Sequence, residues 1–273
     1  MSRTSTDARG LARDIRADAL RMVAAAKASH IGTCLSMGDI LAVLYDGILH
    51  YDVDDPMWAE RDRFILSKGH GAAILYAVLA EVGFFDTELL TEYCADGSML
   101  MGHASHKVPG VEVSTGSLGH GLPIGTGMAL AAKRGGLDYR TLVLVGDGEL
   151  DEGSNWEAML FAATHELDGL VMIVDRNGLQ GFGESEDVLR LEPLADKLKA
   201  FGWAVSTVDG HDYDELAAVL RPEARVPGKP TAIIAKTIKG KGVSFMEGRL
   251  EWHYRSPDPE QLAQALAELG VAP

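Results

Sequence analysis

The sequence predicts an α/β fold in which a parallel β-sheet carries helices on both of its faces. Apolar, β-branched runs at 141–145 and 170–174 have the character of strands buried on both sides. A segment of helical length and composition joins these two runs, and strands alternate with helices along the rest of the chain. Ligands of such folds bind at the carboxyl ends of the strands, so we expect the functional residues in the turns there.

The remaining elements follow from periodicity, capping residues and helix breakers. Residues 7–29 have the pattern of an amphipathic helix, and Ser36 is a candidate N-cap for a second helix that reaches about Leu49. The pattern further predicts, in order, a strand at 63–66, helices at 69–82 and 86–95, a loop rich in Gly and His at 97–120, a helix to about Arg134, helices at 152–167 and 191–201, a strand at 204–209, a helix at 212–220, a strand at 231–236 and a last helix at 258–269.

Composition excludes several classes of protein. The 273 residues are 47% hydrophobic, enough for a sizeable core, and the net charge of −15 disfavours nucleic-acid and anionic-membrane partners. The N-terminus lacks the apolar region of a signal peptide, and no apolar run approaches the length of a membrane helix. We therefore expect a soluble, cytoplasmic protein. The two cysteines, Cys34 and Cys94, give no disulfide framework and are expected to be small buried hydrophobes.

The most informative motif is Gly146-Asp147-Gly148, followed about thirty residues later by Asn177. A strand, turn, helix and strand bring the two strand ends side by side, so Asp147 and Asn177 are expected to face one pocket. Their oxygen atoms suit Mg²⁺, which usually keeps a substrate phosphate as well, and the glycines let backbone N–H groups approach that phosphate. The spacing resembles that of thiamine-diphosphate enzymes.

Four of the nine histidines lie in turns beside glycine or aromatic residues: His30, His70, His103 and His253. Histidine suits both phosphate binding and proton transfer near neutral pH. His103 and His106 are three residues apart, but no further ligand with zinc-type spacing accompanies them. We interpret the side chains of three others as structural or exposed: His50, His165 and His211.

A basic, glycine-containing segment, Lys236 to Gly242, follows the last predicted strand. For its individual lysines, solvent exposure is the better expectation. As a unit it is a candidate mobile loop that closes over an anionic site.

Taken in order, these residues resemble the transketolase family over nearly the whole chain. The resemblance is carried by 27–30 (KASH), 66–70 (LSKGH), Gly102-His103, 109–119 (PGVEVSTGSLG), the Asp147–Asn177 motif, the lysine-glycine segment and His253. It implies a single pyrophosphate-binding domain over 1–273 with the thiamine-diphosphate-binding fold. An ordered set of this kind is far more specific than any one motif.

The resemblance also implies site residues. It assigns Asp147, Asn177 and the carbonyl of Leu179 to the metal, with Mg²⁺ expected and Ca²⁺ or Mn²⁺ as alternatives. It assigns His30, His103 and His253 to the sugar and to catalysis, and it implies supporting roles for Glu152 and Asp175. His120 stands where the family often has Gln. The implied contacts of thiamine diphosphate are His70, Gly116, Ser117, Leu118, Gly148, Glu149, Asn177 and His253.

The sequence departs from full transketolases because it contains no counterpart of their pyrimidine-binding and C-terminal domains. The family's glutamate that activates the aminopyrimidine belongs to that part. The resemblance therefore implies the N-terminal subunit of a split transketolase, working with a partner chain as an α₂β₂ heterotetramer. Its activity would be transfer of a two-carbon ketol unit between sugar phosphates.

Three other functions stay open at this stage. Two are halves of other thiamine-diphosphate enzymes, either a 1-deoxyxylulose-5-phosphate synthase or an oxo-acid dehydrogenase. The third is a non-catalytic partner that binds cofactor and stabilises an assembly. The four histidines favour ketol transfer over these alternatives.

Overall fold

Seven strands are present in the computed structural model, which describes residues 7–272. Five of them form one sheet in the order β1-β2-β3-β7-β6, and every neighbouring pair is parallel, as the sequence predicts. The strands are β1 (Arg63–Leu66), β2 (Thr141–Gly146), β3 (Leu170–Arg176), β4 (Leu179–Gln180), β5 (Gly183–Glu184), β6 (Ala204–Asp209) and β7 (Thr231–Lys236).

The α-helices fall close to their predicted positions. Asp7 caps the first of them through the N–H of Gly10, and the last begins with a capping box between Asp258 and Gln261. The helices are α1 (Ala8–Ala26), α2 (Ile31–Ser36), α3 (Gly38–Val43), α4 (Ala72–Glu81), α5 (Gly121–Gly135), α6 (Gly153–Thr164), α7 (Ser185–Val188), α8 (Leu194–Ala200), α9 (Tyr213–Leu220) and α10 (Pro259–Glu268).

Helices cover both faces of the sheet, because successive strand residues point to opposite sides. Leu144 of β2 belongs to a core cluster with α1 to α4 and α9. Its neighbours Val143 and Val145 belong to a second cluster, with α5, α6 and α8. The near-continuous apolar strands that predict a parallel sheet are thus buried on both sides.

Two local predictions were wrong, and a third was right only in part. Ser36 ends α2 instead of capping a helix, because its hydroxyl group donates to the carbonyl of Thr33 and to Asp175. The predicted helix at 86–95 is a shorter 3₁₀ helix, Thr87–Glu92, which Asp86 caps. Cys34 is buried as expected, but Cys94 is exposed.

No helix within residues 7–272 combines the length and the apolar character that crossing a membrane requires.

Candidate active site

The carboxyl ends of β1, β2, β3 and β7 meet around one cavity of about 300 Å³. Gly146 lies in register with Asp175, and Arg176 with Lys236, so the turns after these strands start at the same edge of the sheet. The predicted residues that line the cavity are His30, His70, His103, Gly116, Leu118, Asp147, Gly148, Glu149, Asn177, Leu179 and His253. Ser117 is exposed and lies outside that lining.

Four histidine rings line the same cavity as the Asp147 turn. The centroid of the His30 ring lies 5.1 Å from those of His70 and His253 and 5.9 Å from that of His103. His30 has a left-handed backbone (φ 75°), and its N–H donates to the carbonyl of His253 at 3.0 Å. The hydroxyl group of Tyr76 holds the backbone of His103 in place by donating to its carbonyl at 2.7 Å. Segments distant in sequence are thus joined into one histidine cluster.

Burial keeps three of these histidines neutral. It lowers the pKa of His30 to about 4, assisted by electrostatic interaction with His103 and Lys239. It lowers the pKa of His253 to about 3, assisted by Lys239 and His30, and it lowers the pKa of His70 well below the usual value. Each neutral ring offers one N–H donor and one lone pair, which suits recognition of sugar hydroxyl and carbonyl groups.

Asp147 is 2% exposed and accepts three hydrogen bonds. One oxygen accepts from the N–H of Gly148 at 2.8 Å, and the other accepts from Gly178 at 2.6 Å and from the Arg176 guanidinium at 3.1 Å. Burial, together with the negative charge of Asp175, raises the pKa of Asp147 despite these donors. A cation beside the carboxylate would relieve this cost.

Asn177 and Leu179 complete the predicted metal set on the same side of the cavity. The side-chain oxygen of Asn177 accepts from the N–H of Leu179 at 3.1 Å, and its amide nitrogen donates to Asp175 at 3.2 Å, which fixes the amide orientation. The carbonyl of Leu179 accepts from the ammonium of Lys239 at 3.1 Å and therefore already faces a positive group. One carboxylate, one amide and one carbonyl are hard oxygen donors of the kind that Mg²⁺ prefers, so the residues fit that ion.

No group of three or more His, Cys, Asp or Glu side chains within residues 7–272 is arranged to hold a metal ion. His103 lines the cavity, whereas His106 lies outside that lining. His106 instead pairs its ring with the hydroxyl group of Ser114 at 2.7 Å.

Glu149 holds loops together. Its carboxylate accepts from the Ser67 hydroxyl at 2.5 Å and from the N–H groups of Gly119 and Gly146 at 2.9 and 3.1 Å. These contacts tie the turn after β1, the start of α5 and the Asp147 turn to one another. Glu152 is exposed beside this junction, and so is His120.

Asp175 is fully buried and accepts hydrogen bonds from several segments that surround the cavity. It pairs with Lys68, whose side chain is 1% exposed, and it also accepts from Ser36, Thr237 and Asn177. Burial alone would raise the pKa of Asp175, but the charge of Lys68 and these donors lower it. Lys68 also donates to the hydroxyl group of Thr33 at 2.8 Å, so the pair joins three strand ends to α2.

Lys239 corrects the expectation that each lysine of the basic segment is solvated. Its side chain is 2% exposed and lies in the cavity, where its ammonium group is 3.1 Å from Nδ1 of His253. Burial and the charge of Lys68 lower its pKa to about 8. Lys68, Thr33 and Gln180 also line the cavity and were missed, because buried lysines are rare and have no local signal.

The three histidines interpreted as structural or exposed have those characters. His50 is exposed, and His165 packs against Phe161 with ring centroids 4.1 Å apart. His211 is half-buried and hydrogen-bonded to Asp39 at 2.7 Å.

Known proteins share this sequence over most of its length. Residues 8–273 match the family described as "Transketolase, thiamine diphosphate binding domain". The chain is 44% identical over 250 residues to an apulose-4-phosphate transketolase subunit of Phocaeicola vulgatus, covering 92% of this chain and 89% of that one. It is 42% identical over 270 residues to the 6-deoxy-6-sulfo-D-fructose transketolase subunit SqwG of a Clostridium species, covering 98% of both.

A solved structure has the same fold. Transketolase from Leishmania mexicana superposes with a TM-score of 0.91 at 35% identity, over 98% of this chain. The chain spans only 42% of the length of that enzyme.

Proposed function

Because the chain belongs to the transketolase family, we propose that it supplies the diphosphate- and metal-binding half of a two-chain transketolase. The observation that carries the proposal is the convergence of the histidine cluster with Asp147, Asn177 and Leu179 on one cavity. The reaction would move a two-carbon ketol unit from a ketose to an aldose. The chain would form one domain over 1–273.

The cavity residues divide the work between binding and proton handling. Asp147, Asn177 and the carbonyl of Leu179 would hold Mg²⁺, while Gly148, Asn177, His70 and Lys239 would contact the diphosphate side of thiamine diphosphate. When bound, that cofactor supplies the carbanion equivalent at its thiazolium ring that C–C cleavage requires.

Three histidines of the cavity, His30, His103 and His253, would orient the sugar. Their N–H groups can donate to the ketose carbonyl, and their lone pairs can accept protons from its hydroxyl groups. Glu149 and Asp175 would act through the loops that they hold.

The partner chain would carry the pyrimidine-binding part. Two relatives that match nearly end to end are named as subunits, which supports a division into two chains. Ile124, Leu160 and Phe161 are 38–53% exposed on neighbouring helices α5 and α6. An apolar surface of this kind fits a contact between chains, and we propose an α₂β₂ assembly.

The donor is proposed to be a ketose with an anionic terminus. One relative is named for a sugar phosphate and the other for a sulfonated sugar, so the class of terminal group is shared while the sugar differs.

The test is ketol transfer by this chain co-purified with its natural partner, in thiamine diphosphate and Mg²⁺. Xylulose 5-phosphate and 6-deoxy-6-sulfofructose would be compared as donors, with ribose 5-phosphate as acceptor. We expect turnover only in the paired sample. Cofactor binding without transfer from either donor would refute the proposed substrates, and failure of the pair to bind cofactor would refute the assignment.

A further inference from the structure

A buried polar cluster lies outside the cavity and is not used by the proposed mechanism. The carboxylate of Asp39, on α3, accepts two hydrogen bonds from the Arg16 guanidinium at 2.8 and 2.7 Å. It also accepts from the Tyr213 hydroxyl at 2.5 Å and pairs with Nδ1 of His211 at 2.7 Å. Arg16 and Asp39 are almost fully buried, so this is a rigid anchor within the core.

His211 connects this anchor to another segment. Its second ring nitrogen, Nε2, accepts a hydrogen bond from the backbone N–H of Ile238 at 2.9 Å. Because Nε2 accepts, the ring proton must lie on Nδ1, which then donates to Asp39. One neutral imidazole therefore bridges a buried carboxylate and a backbone amide, with 12% of its side chain exposed.

The amide that it holds belongs to the residue just before Lys239. Downstream, the N–H of Gly240 donates to the carbonyl of Gly32 at 2.9 Å. Gly240 has a φ of +82°, and a Cβ there would lie 2.3 Å from the carbonyl oxygen of Met246. The backbone around Lys239 is thus fixed on both sides, and this placement directs its ammonium group to Leu179 and His253.

We infer that His211 is a positioning residue that ties the lysine-glycine loop to the Arg16–Asp39 pair and thereby keeps Lys239 in the cavity. The consequence for cofactor affinity rests on the proposed function, whereas the consequence for the loop does not. His211 touches no cavity group itself, so its effect on ligands would pass through the loop alone.

Two substitutions of His211 test the contributions of its two ring nitrogens separately. His211→Asn keeps a polar atom near the position of Nδ1 but has none near Nε2, whereas His211→Gln can place an acceptor near Nε2. Tyr213→Phe is the matched control, because it removes another donor to Asp39 without touching the loop. The sample is the full chain with its partner, without cofactor and then with thiamine diphosphate and Mg²⁺.

Two readouts are needed: amide hydrogen exchange of the peptide 237–243 without cofactor, and affinity for thiamine diphosphate. In His211→Asn we expect exchange to accelerate and affinity to fall by about tenfold each, the scale of one lost hydrogen bond. His211→Gln should recover most of both, and Tyr213→Phe should change neither.

Unchanged exchange in His211→Asn, or an equal increase in Tyr213→Phe, would overturn the inference. If His211→Asn does not fold, Ile238→Pro provides the second test, because it deletes the donor and leaves the Asp39 cluster intact; unaltered exchange at 239–241 would again overturn it. If the wild-type pair does not bind thiamine diphosphate, the proposed function fails, while the exchange comparison still decides the role of His211.

Discussion

The two sides of the cavity hold their polar groups in opposite ways. On the Asp147 side, each buried carboxylate accepts three or four hydrogen bonds and lies near a lysine or arginine. On the histidine side, the His30 ring makes edge-to-face contacts with the other three rings, with centroids 5.1–5.9 Å apart, and burial lowers the pKa of three of the four rings.

This difference indicates which role each side can play. The charged side uses most of its hydrogen-bonding capacity to hold strand ends together, so its residues should matter for stability and for retention of the diphosphate. The histidine side keeps ring nitrogens for a ligand, so its residues should matter for turnover. Substitutions can test this division.

The largest effect is expected from Lys68→Ala. It would leave Asp175 buried without its cationic partner, so the free energy of unfolding should fall by about 3–5 kcal/mol. Urea unfolding of the chain measures this. The double variant Lys68→Met/Asp175→Asn removes both charges and should recover much of the loss; no recovery would show that the pair is not the cause.

Asp147→Ala should come next. The loss of the proposed metal ligand should weaken Mg²⁺-dependent binding of thiamine diphosphate by about 100-fold, as measured by titration calorimetry of the paired chains. Asp187→Ala, exposed on α7 and outside the cavity lining, is the control. A variant at Asp147 that holds the cofactor normally would contradict the metal assignment.

The smallest effects are expected on the histidine side. His30→Ala and His103→Ala should retain cofactor and lower turnover by about 100-fold, as expected when a proton-transfer group is removed. Steady-state kinetics alongside cofactor titration separate the two quantities, and His106→Ala, which lies outside the cavity lining, is the control. Loss of cofactor with unchanged turnover at saturation would mean that the two sides have been assigned the wrong roles.

Much of this arrangement was predictable from local patterns. The apolar runs of β2 and β3 predicted a parallel sheet, since strands buried on both faces have a nearly continuous β-branched sequence. The strand-turn-helix-strand order around Asp147 and Asn177 predicted that both would reach one edge, because parallel strands end on the same side. His70 and His103 were candidates for a different reason, because glycine beside a polar side chain suggests close approach to a ligand.

The short helices were less predictable. Ser36 has the residue type of an N-cap, yet its hydroxyl group bonds to Asp175, 139 positions away. The 86–95 segment has helical composition but forms a short 3₁₀ helix instead of an α-helix. The preference of a single residue type for a cap or a helix is weak, and packing and distant hydrogen bonds easily outweigh it.

The fold class and the edge of the sheet at which the cavity lies could be inferred from the sequence, because they depend on periodicity and on the order of strands and helices. The roles of the histidines and of the metal-type oxygens stay predictions from the family resemblance. Which charged residues are buried became evident only in the folded molecule. Lys68 and Lys239 lie in motifs that the sequence reveals, but their burial and the contacts of His211 depend on Asp175, Leu179 and Asp39, which lie at least 60 positions away in the chain. A buried charge is tolerated only where folding supplies its partner, and the residue's immediate neighbours in sequence carry no information about that partner.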